Sequence, residues 1–345
     1  MDGFTISGDN TNIDGFAYAG MNIEATYGVW SIGMDDINFS NNIVENFTYI
    51  GFHAANNFGD STENLTLTNN KFNNIHDLNE LGFGFATYIQ ATGGTITNNV
   101  VTNARNGIQV QPYTAPQGGT VANNSYEIYN TGIYYNFAEN NGSASWALEN
   151  NSVLGVNPPA ATLGPITWSG ISVQTMKAGA APAIFQGNFI DSGVISSTSA
   201  NWANVFGYRV RTPNDNAVDI NNFTENSIIN VETFINNQTS QALNATCNWY
   251  GTTDAFVINN EISGPADFIP FLVDGTDDNT SLVGFQPVPN SCSGLGPVNV
   301  YDDEPFDNST FVSSHFTIQN AIADNTTVNG YFITVEAGIY EERLN

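Results

Sequence analysis

Two clusters of carboxylates are the densest groups of potential metal ligands in this sequence. Asp274, Asp277 and Asp278 form the first, and residues 302–307, with Asp302, Asp303, Glu304 and Asp307, form the second. Calcium prefers several oxygen ligands from flexible loops, which carboxylates in turns can supply. Neither cluster completes a known calcium-loop pattern, so an acidic turn exposed to solvent is the alternative. Calcium is the one candidate cofactor, with Asp274, Asp277 and Asp278 as its candidate ligands.

Three aromatic residues are candidates for carbohydrate binding: Trp168, Trp202 and Tyr208. Flat aromatic rings offer a sugar a large contact area at little cost in side-chain entropy. These residues therefore predict a sugar-stacking platform. The alternative is that they cover the open side of a hydrophobic core, because half-buried aromatic residues are common.

Other catalytic and metal chemistries have weak support in the residue spacing. Hydrolysis of a glycosidic bond needs two carboxylates at a fixed separation. With 33 acidic residues, neighbouring pairs such as Asp35 and Asp36 are expected without any function. His53, His76 and His315 are widely separated and share no spacing typical of zinc ligands.

An asparagine recurs along the chain in one fixed frame, with an apolar residue three positions before it and another two positions after it. The seven copies are Asn42, Asn70, Asn99, Asn124, Asn151, Asn188 and Asn226. Subtracting successive positions gives separations of 28, 29, 25, 27, 37 and 38 residues. These separations are too irregular for a helical hairpin repeat but are close to one turn of a solenoid with variable loops. Asn260 is a further candidate copy.

The segments around these asparagines are predicted to be short strands. Residues 65–68, with the sequence LTLT, alternate in polarity, and no long stretch has an apolar stripe of helical period. We expect the asparagine itself at a corner, because it tolerates the left-handed backbone region and can hydrogen-bond to its equivalent in the next coil. A glycine and an apolar residue open a second strand at Gly51-Phe52, Gly107-Ile108, Gly132-Ile133 and, displaced, Gly170-Ile171. The predicted fold class is all-β.

The repeat resembles the right-handed parallel β-helix of the pectin-lyase-like superfamily, in particular its bacterial secreted and surface proteins. Residues 247–251 (CNWYG) and 262–272 are similar to the closing segment of such a helix, and residues 316–322 and 333–340 are similar to the start of another. The resemblance implies a right-handed parallel β-helix solenoid with its closing segment over residues 1–290. A linker at 291–300 and the truncated start of a second β-helix unit at 301–345 would follow.

The resemblance also implies a candidate activity. Family members that cleave acidic polysaccharides by β-elimination use calcium held by carboxylates, with an arginine or lysine as the base. Arg209 and Arg211, followed by Asp215 and Asp219, are the best local candidates, because strand alternation puts both arginines on one face. Catalysis would require a strongly perturbed site, since arginine is almost always protonated. The alternative is that the two arginines offset surrounding carboxylates, and no catalytic motif of the family is present to transfer.

The charge balance restricts the partners and the compartment. The sequence has 6 Lys and Arg residues against 33 Asp and Glu, a net charge of −27, which disfavours nucleic acid and anionic membranes as partners. Only 11% of the residues are charged, so the anomaly is a scarcity of cations. This composition favours a secreted protein exposed to salt or divalent cations. Compositional drift in an organism from cold or saline water is the alternative.

The cysteines and the ends of the sequence bear on localisation. In an extracellular chain we predict a disulfide between Cys247 and Cys292, and a pair of buried thiols is the alternative. No signal peptide precedes the predicted strand at Phe4, and no apolar run is long enough to predict membrane insertion. We interpret the chain as a segment whose export signal and anchor lie outside it.

These features favour a non-catalytic structural or adhesive module of a large exported cell-surface β-helix protein. Its expected partner is a polysaccharide or cell-surface glycan, and its expected location is extracellular or at the cell surface. The main alternative is a polysaccharide lyase or glycoside hydrolase acting on an acidic polysaccharide, with its groove beside the insertions after Leu154 and Ile190. A third hypothesis is a segment of a phage-like fibre, which would form trimers.

Overall fold

The chain is all-β with long parallel sheets, consistent with a parallel β-solenoid, as a computed structural model shows. The structure describes residues 3–20, 27–55, 62–76, 83–90, 93–111, 118–136, 146–158, 166–174, 183–193, 195, 202–211, 222–295, 298–300, 314–315, 318–323 and 333–335. Most coils contribute strands to three ladders, in which each strand pairs in parallel with the equivalent strand of the next coil.

The first ladder precedes the asparagine corner. Its strands are Asn12–Asp14, Asn38–Ser40, Leu65–Thr68, Gly93–Thr97, Gly118–Ala122, Trp146–Glu149, Ile184–Gln186, Asn222–Thr224, Leu243–Asn244 and Ala266–Asp267. A buried apolar column runs along its inner face: Ile13, Phe39, Leu67, Ile96, Val121, Leu148, Phe185 and Phe223. Every member from Phe39 onward is the residue three positions before a repeated asparagine, so the sequence frame identified most of the core of this ladder.

The second ladder follows the corner. Its strands are Ala17–Ala19, Ile43–Phe47, Lys71–Ile75, the first parts of Val100–Val110 and Ser125–Asn136, Ser152–Gly155, Phe189–Asp191 and Ser227–Ile229. The residue two positions after each asparagine points inward here, giving a second stacked column: Val44, Phe72, Val101, Tyr126, Val153, Ile190 and Ile228.

The third ladder contains the strands that the glycine and apolar pairs predict. They are Phe4–Ile6, Tyr27–Ile32, Ile50–Ala55, Phe85–Ile89, the later parts of Val100–Val110 and Ser125–Asn136, Ile166–Gln174, Trp202–Arg211, Thr233–Asn237 and Ile262–Ser263. Six glycines and one alanine are in register in the column Gly28, Gly51, Ala86, Gly107, Gly132, Gly170 and Gly207. A Cβ atom on Gly132 would lie 2.4 Å from Val153 Cγ1 and 2.6 Å from the Gly170 carbonyl oxygen. The third ladder therefore passes too close to the second for a side chain at this position.

Eight asparagine side chains form a continuous buried ladder: Asn42, Asn70, Asn99, Asn124, Asn151, Asn188, Asn226 and Asn248. From Asn70 onward, each Oδ1 accepts from the Nδ2 and the backbone N–H of the asparagine one coil earlier, as Asn124 Oδ1 does from Asn99 at 2.9 Å in both cases. Asn42 Oδ1 accepts from the Phe16 backbone N–H. Each Nδ2 also donates to a first-ladder carbonyl, as Asn124 does to Ile96 at 3.0 Å. Every amide group is thus satisfied inside the core.

Two details of the corner differ from the sequence prediction. The left-handed residue is the one before each ladder asparagine, with φ between 54° and 58° at Asn41, Asn69, Asn98, Asn123 and Asn150. That residue makes the bend, so the following side chain is free to point inward.

The eighth position of the asparagine ladder also corrects the prediction. Asn260 ends the helix Ala255–Asn260, so its prediction as a repeat copy was wrong. Asn248 occupies the eighth position, and its frame residues Ala245 and Tyr250 are buried like those of the other copies.

A closing segment follows the last coil. Phe271–Leu272 pairs antiparallel with Cys292–Gly294, and a disulfide joins Cys247 to Cys292, with their Cα atoms 5.0 Å apart. The intervening residues 273–291, here called the strap, run back along the corners, where the backbone N–H of Phe285 donates to the Gly187 carbonyl at 2.7 Å. The predicted disulfide is therefore present in the structure.

The described C-terminal residues form a separate sheet. Val298–Val300 pairs in parallel with Ser314–His315 and Ile333–Val335, and the helix Ile318–Ala323 lies between these strands in sequence. The interval 291–300, predicted as a linker, therefore includes a strand of the closing segment and a strand of this sheet. None of the helices in the described part of the chain has the length and apolarity needed to span a membrane.

Candidate functional site

A groove of about 650 Å³ lies on the outer face of the third ladder. It extends over five successive strands of this ladder, from Phe85–Ile89 to Trp202–Arg211. Its polar lining consists of amide, hydroxyl and guanidinium groups: Tyr88, Arg105, Asn106, Gln109, Asn130, Thr131, Tyr134, Asn136, Thr167, Ser169, Ser172, Arg209 and Arg211. A volume of this size is typical of sites that hold small molecules or segments of polymers.

Strand alternation determines which side chains face the groove. In each strand of the third ladder, the residue that follows the inward-pointing residue directs its side chain outward. The resulting column is Trp30, His53, Tyr88, Gln109, Tyr134, Ser172, Arg209 and Asn236. Most of this column was not predicted from the sequence. Moving one residue past each glycine and apolar pair, to His53, Gln109 and Tyr134 for example, would have identified it.

The groove concentrates the few cations of the chain. Arg105, Arg209 and Arg211 all line it, which is three of the 6 Lys and Arg residues in the sequence. None of the described residues that line it is Asp or Glu, although the sequence contains 33 of them. Asp215 and Asp219, which we predicted to accompany the arginines, lie outside the described residues.

Arg209 and Arg211 lie side by side at the C-terminal end of the groove. Arg211 Nη1 donates to Gln174 Oε1 at 3.0 Å, and the Tyr134 hydroxyl donates to the same oxygen. The Arg209 guanidinium lies over the Phe206 ring, 5.2 Å from its centroid, and Arg209 Nε has no hydrogen-bond partner among the described residues. Burial, followed by repulsion from Arg211, lowers the pKa of Arg209. A bound anion would stabilise both charged groups.

Aromatic side chains dominate the N-terminal part of the same face. Ring centroids are 4.3 Å apart for Tyr27 and Trp30, and 4.8 Å apart for His53 and Tyr88. Burial lowers the pKa of His53 to about 4, although its contact with the Gln90 side chain acts in the opposite direction. His53 is therefore a neutral aromatic residue near pH 7. The outer face thus changes along its length from aromatic to cationic.

The predicted sugar-stacking residues lie elsewhere. Trp168, Trp202 and Tyr208 are 0%, 3% and 0% exposed, which leaves no ring face for a bound sugar. Trp202 Nε1 donates to the Tyr129 carbonyl at 3.2 Å, and the Tyr208 ring stacks on Phe223 with centroids 4.1 Å apart. The prediction of a platform from these residues was wrong because the alternation of the strand directs Tyr208 inward and Arg209 outward.

The predicted calcium ligands do not come together. Asp274 Oδ1 accepts from the Thr276 N–H at 2.8 Å, and this bond lowers the pKa of Asp274, while Asp277 Oδ1 accepts from the Asn279 N–H at 3.0 Å. The described residues contain no group of three His, Cys, Asp or Glu side chains that could hold a metal ion. Asp274, Asp277 and Asp278 thus do not form such a group, and the first two carboxylates stabilise their own turns. Residues 302–307 lie outside the described residues.

A second cavity, of about 510 Å³, lies between the strap and the corners of the first ladder. Glu149 and Glu225 line it, and its described lining contains no Lys or Arg. Gln186 Nε2 donates to Glu225 Oε2 at 2.5 Å, so part of the polar lining is already paired. The groove on the third ladder is the stronger candidate site. It contains Arg209 Nε, a donor that is unpaired in the described part of the chain, and its arginines are positively charged in a chain whose net charge is negative.

Searches against protein-family models, curated proteins and solved structures found no match to this chain.

Proposed function

We propose that this chain is a non-catalytic adhesive module that binds an acidic polysaccharide along the outer face of the third ladder. The observation that carries the proposal is the charge contrast: three of 6 cationic residues line one groove whose described lining contains no carboxylate. On a chain with a net charge of −27, such a groove attracts anions only at short range. Recognition therefore depends on direct contact.

The uncharged part of the lining also suits a glycan. Tyr88 and Tyr134 are partly exposed rings that a sugar could contact, and the largely buried Gln109 and Ser172 line the groove with an amide and a hydroxyl beside them. Sugars are bound by such combinations of flat apolar faces and hydrogen-bonding groups. Because these residues lie on stacked strands, the scaffold holds them rigidly, which limits the entropy lost on binding.

The proposal includes the finer architecture and location that the resemblance implies. The solenoid is a right-handed parallel β-helix of the pectin-lyase-like type, residues 301–345 begin a second unit, and the parent protein is exported to the cell surface. The disulfide between Cys247 and Cys292 supports an oxidising compartment. The shortage of Lys and Arg supports an exterior rich in salt.

A lyase is the second candidate, and one observation favours it. The pKa of Arg209 is lowered, and Tyr134 lies close enough to influence that pKa. The groove therefore holds a candidate general base, Arg209, beside the hydroxyl of Tyr134. Hydrolysis has less support, because it requires two carboxylates across the cleft and the described lining has none. Incubation with polygalacturonate, followed by ultraviolet absorbance of unsaturated products, distinguishes a lyase from a binding module.

The binding proposal is tested with immobilised acidic polysaccharides and the purified chain. Wild type is compared with the double variant Arg209→Gln, Arg211→Gln and with Lys71→Gln, which removes an exposed cation outside the groove. The double variant should bind about tenfold more weakly or worse, because charge-assisted hydrogen bonds are lost, whereas Lys71→Gln should bind like wild type. Absence of binding to every acidic polysaccharide, or equal weakening by both variants, would overturn the proposal.

A further inference from the structure

The cations of the groove occupy two separate positions. Arg105 is next to Asn106, and the strand that carries Arg209 and Arg211 also contains Phe206. Asn106 and Phe206 are connected by successive parallel pairings through Thr131 and Ser169. These three pairings are three steps along the axis, or about 14 Å at the interstrand spacing of about 4.8 Å. The groove therefore presents one guanidinium on the second of its five strands, towards its N-terminal end, and two on the fifth strand, at its C-terminal end.

The surface between these positions is uncharged. Thr131, Tyr134, Ser169 and Ser172 lie on the intervening strands, and none of these side chains carries a charge near pH 7. Tyr134 in addition has its pKa raised by burial, so it stays neutral. A ligand that follows the groove thus meets hydrogen-bonding and aromatic groups over most of its length and cations at only two points.

The rest of the molecule penalises a densely charged ligand. The net charge of −27 repels any anionic groups that are not held by an arginine. A polymer with an anion on every sugar would place carboxylates between the two cationic positions. These carboxylates would be desolvated without forming an ion pair, which costs free energy. A polymer with widely spaced anions avoids this cost.

From this arrangement, and resting on the proposed function, we infer that the ligand is a sparsely charged acidic heteropolysaccharide. Its anionic groups are separated by several neutral sugars, two of them bind at Arg105 and at the Arg209 and Arg211 pair, and the neutral sugars between them contact Tyr134 and the neighbouring amides and hydroxyls.

A panel of polysaccharides with graded charge density tests this inference. The probes are dextran, which is neutral, deacylated gellan, which carries a uronate on a minority of its sugars, and polygalacturonate, which carries one on every sugar. Wild type should bind gellan at least about tenfold more tightly than either of the others at equal sugar concentration. Tighter or equal binding of polygalacturonate overturns the inference while leaving the proposed function intact. Binding of none of the acidic probes overturns both.

Variants at the two cationic positions provide the second test. Arg105→Gln alone, and the pair Arg209→Gln with Arg211→Gln, should each weaken gellan binding by about tenfold, while Lys71→Gln should not. Tyr134→Ala should also weaken it, because the neutral sugars lose their aromatic contact. Equal urea midpoints of all variants show that the fold is intact. If Arg105→Gln binds gellan as well as wild type does, the ligand does not span both positions and the inference is wrong.

Discussion

Two consecutive residues of each corner have different physical roles. Asn123 has a φ of 58° and supplies the left-handed bend, which glycine can adopt without strain. Asn124 lies in the core, where its amide donates to Ile96 and Asn151 and accepts from Asn99. The two asparagines are adjacent and chemically identical. Glycine can replace Asn123 at the bend, whereas no other residue type matches the shape and the hydrogen bonding of the Asn124 amide.

A matched pair of glycine substitutions tests this difference. Asn124→Gly should lower the free energy of unfolding by about 3 kcal/mol, because buried amide and carbonyl groups in the neighbouring coils lose their partners. Asn123→Gly should change it by less than about 0.5 kcal/mol, since glycine accepts the left-handed backbone. Urea denaturation followed by circular dichroism measures both. Similar losses in the two variants would show that the ladder contributes no more than the bend.

His53 gives the outer face a pH dependence. Its pKa falls from 6.5 to about 4 in the folded chain, so the unfolded chain binds the proton more readily. The resulting stabilisation is complete above pH 6.5 and is lost as the pH falls from 6.5 towards about 4. The rings of Tyr27, Trp30 and Tyr88 lie within 5.9 Å of the imidazole, centroid to centroid, and none carries a compensating negative charge.

Substitution by phenylalanine should remove this dependence. Between pH 7 and pH 4, wild type should lose stability on the order of 3 kcal/mol more than His53→Phe, which keeps an aromatic ring but cannot be protonated. Unfolding midpoints measured over this pH range for both chains give the difference directly. Parallel pH profiles would mean that the imidazole has an ordinary pKa in the folded chain.

At the scale of the structural elements, the glycine column explains how three ladders fit around one core. The third ladder passes so close to the inward residues of the second ladder that Gly107 and Gly132 have no room for a Cβ atom. On Gly107, that atom would lie 2.6 Å from the Tyr126 ring. Glycine at these two positions is therefore a requirement of interladder packing, whereas the coil with Ala86 admits a methyl group. None of the glycines in the column needs a left-handed backbone.

Alanine substitutions test the packing requirement. Gly132→Ala should destabilise the chain by about 1 to 3 kcal/mol, because Val153 and the Gly170 carbonyl must move to admit the methyl group. Gly8→Ala is the control, since a Cβ atom there meets nothing within 4 Å and should leave stability unchanged or slightly raised. Thermal unfolding midpoints compare the two. A neutral Gly132→Ala would show that the ladders have room to separate.

At the scale of the whole molecule, the strap joins distant coils. The disulfide connects residues separated by 45 positions, and the strap between them packs against the corner at Gly187. Gly187 itself has a φ of 64°, and a Cβ atom there would lie 2.3 Å from Asn150 Oδ1. The closing segment thus stabilises coils that are far from it in sequence.

Reduction of the disulfide should weaken this arrangement. Closing a loop of this length restricts the unfolded chain by up to about 4 kcal/mol, so a reducing agent should lower the thermal unfolding midpoint of wild type. The double variant Cys247→Ser, Cys292→Ser should unfold at the lower temperature with or without reductant. If the reductant leaves the wild-type midpoint unchanged, the strap is held by its packing alone.

The part of the fold that could be predicted from the sequence is the part that repeats. The frame around Asn70 identified its ladder partners and the inward residues Leu67 and Phe72, since one physical requirement acts at every coil. Asn248 obeys the same frame and could have been included. The candidate site was predicted only in part: Arg209 and Arg211 were correctly placed on one face, but Tyr208, one residue away, was assigned to the surface.

The sequence by itself determined the strand character, the asparagine ladder and the shortage of cations, because each depends on local pattern or composition. It favoured a disulfide between the two cysteines, which the structure contains. Only the tertiary structure decided that Arg105 and Arg209, which are separated by 104 positions in the sequence, line one groove. Loops of unequal length separate the coils, so a separation along the chain does not convert directly into a distance along the axis. Register between coils is set by packing of the core, and that packing placed the cations together.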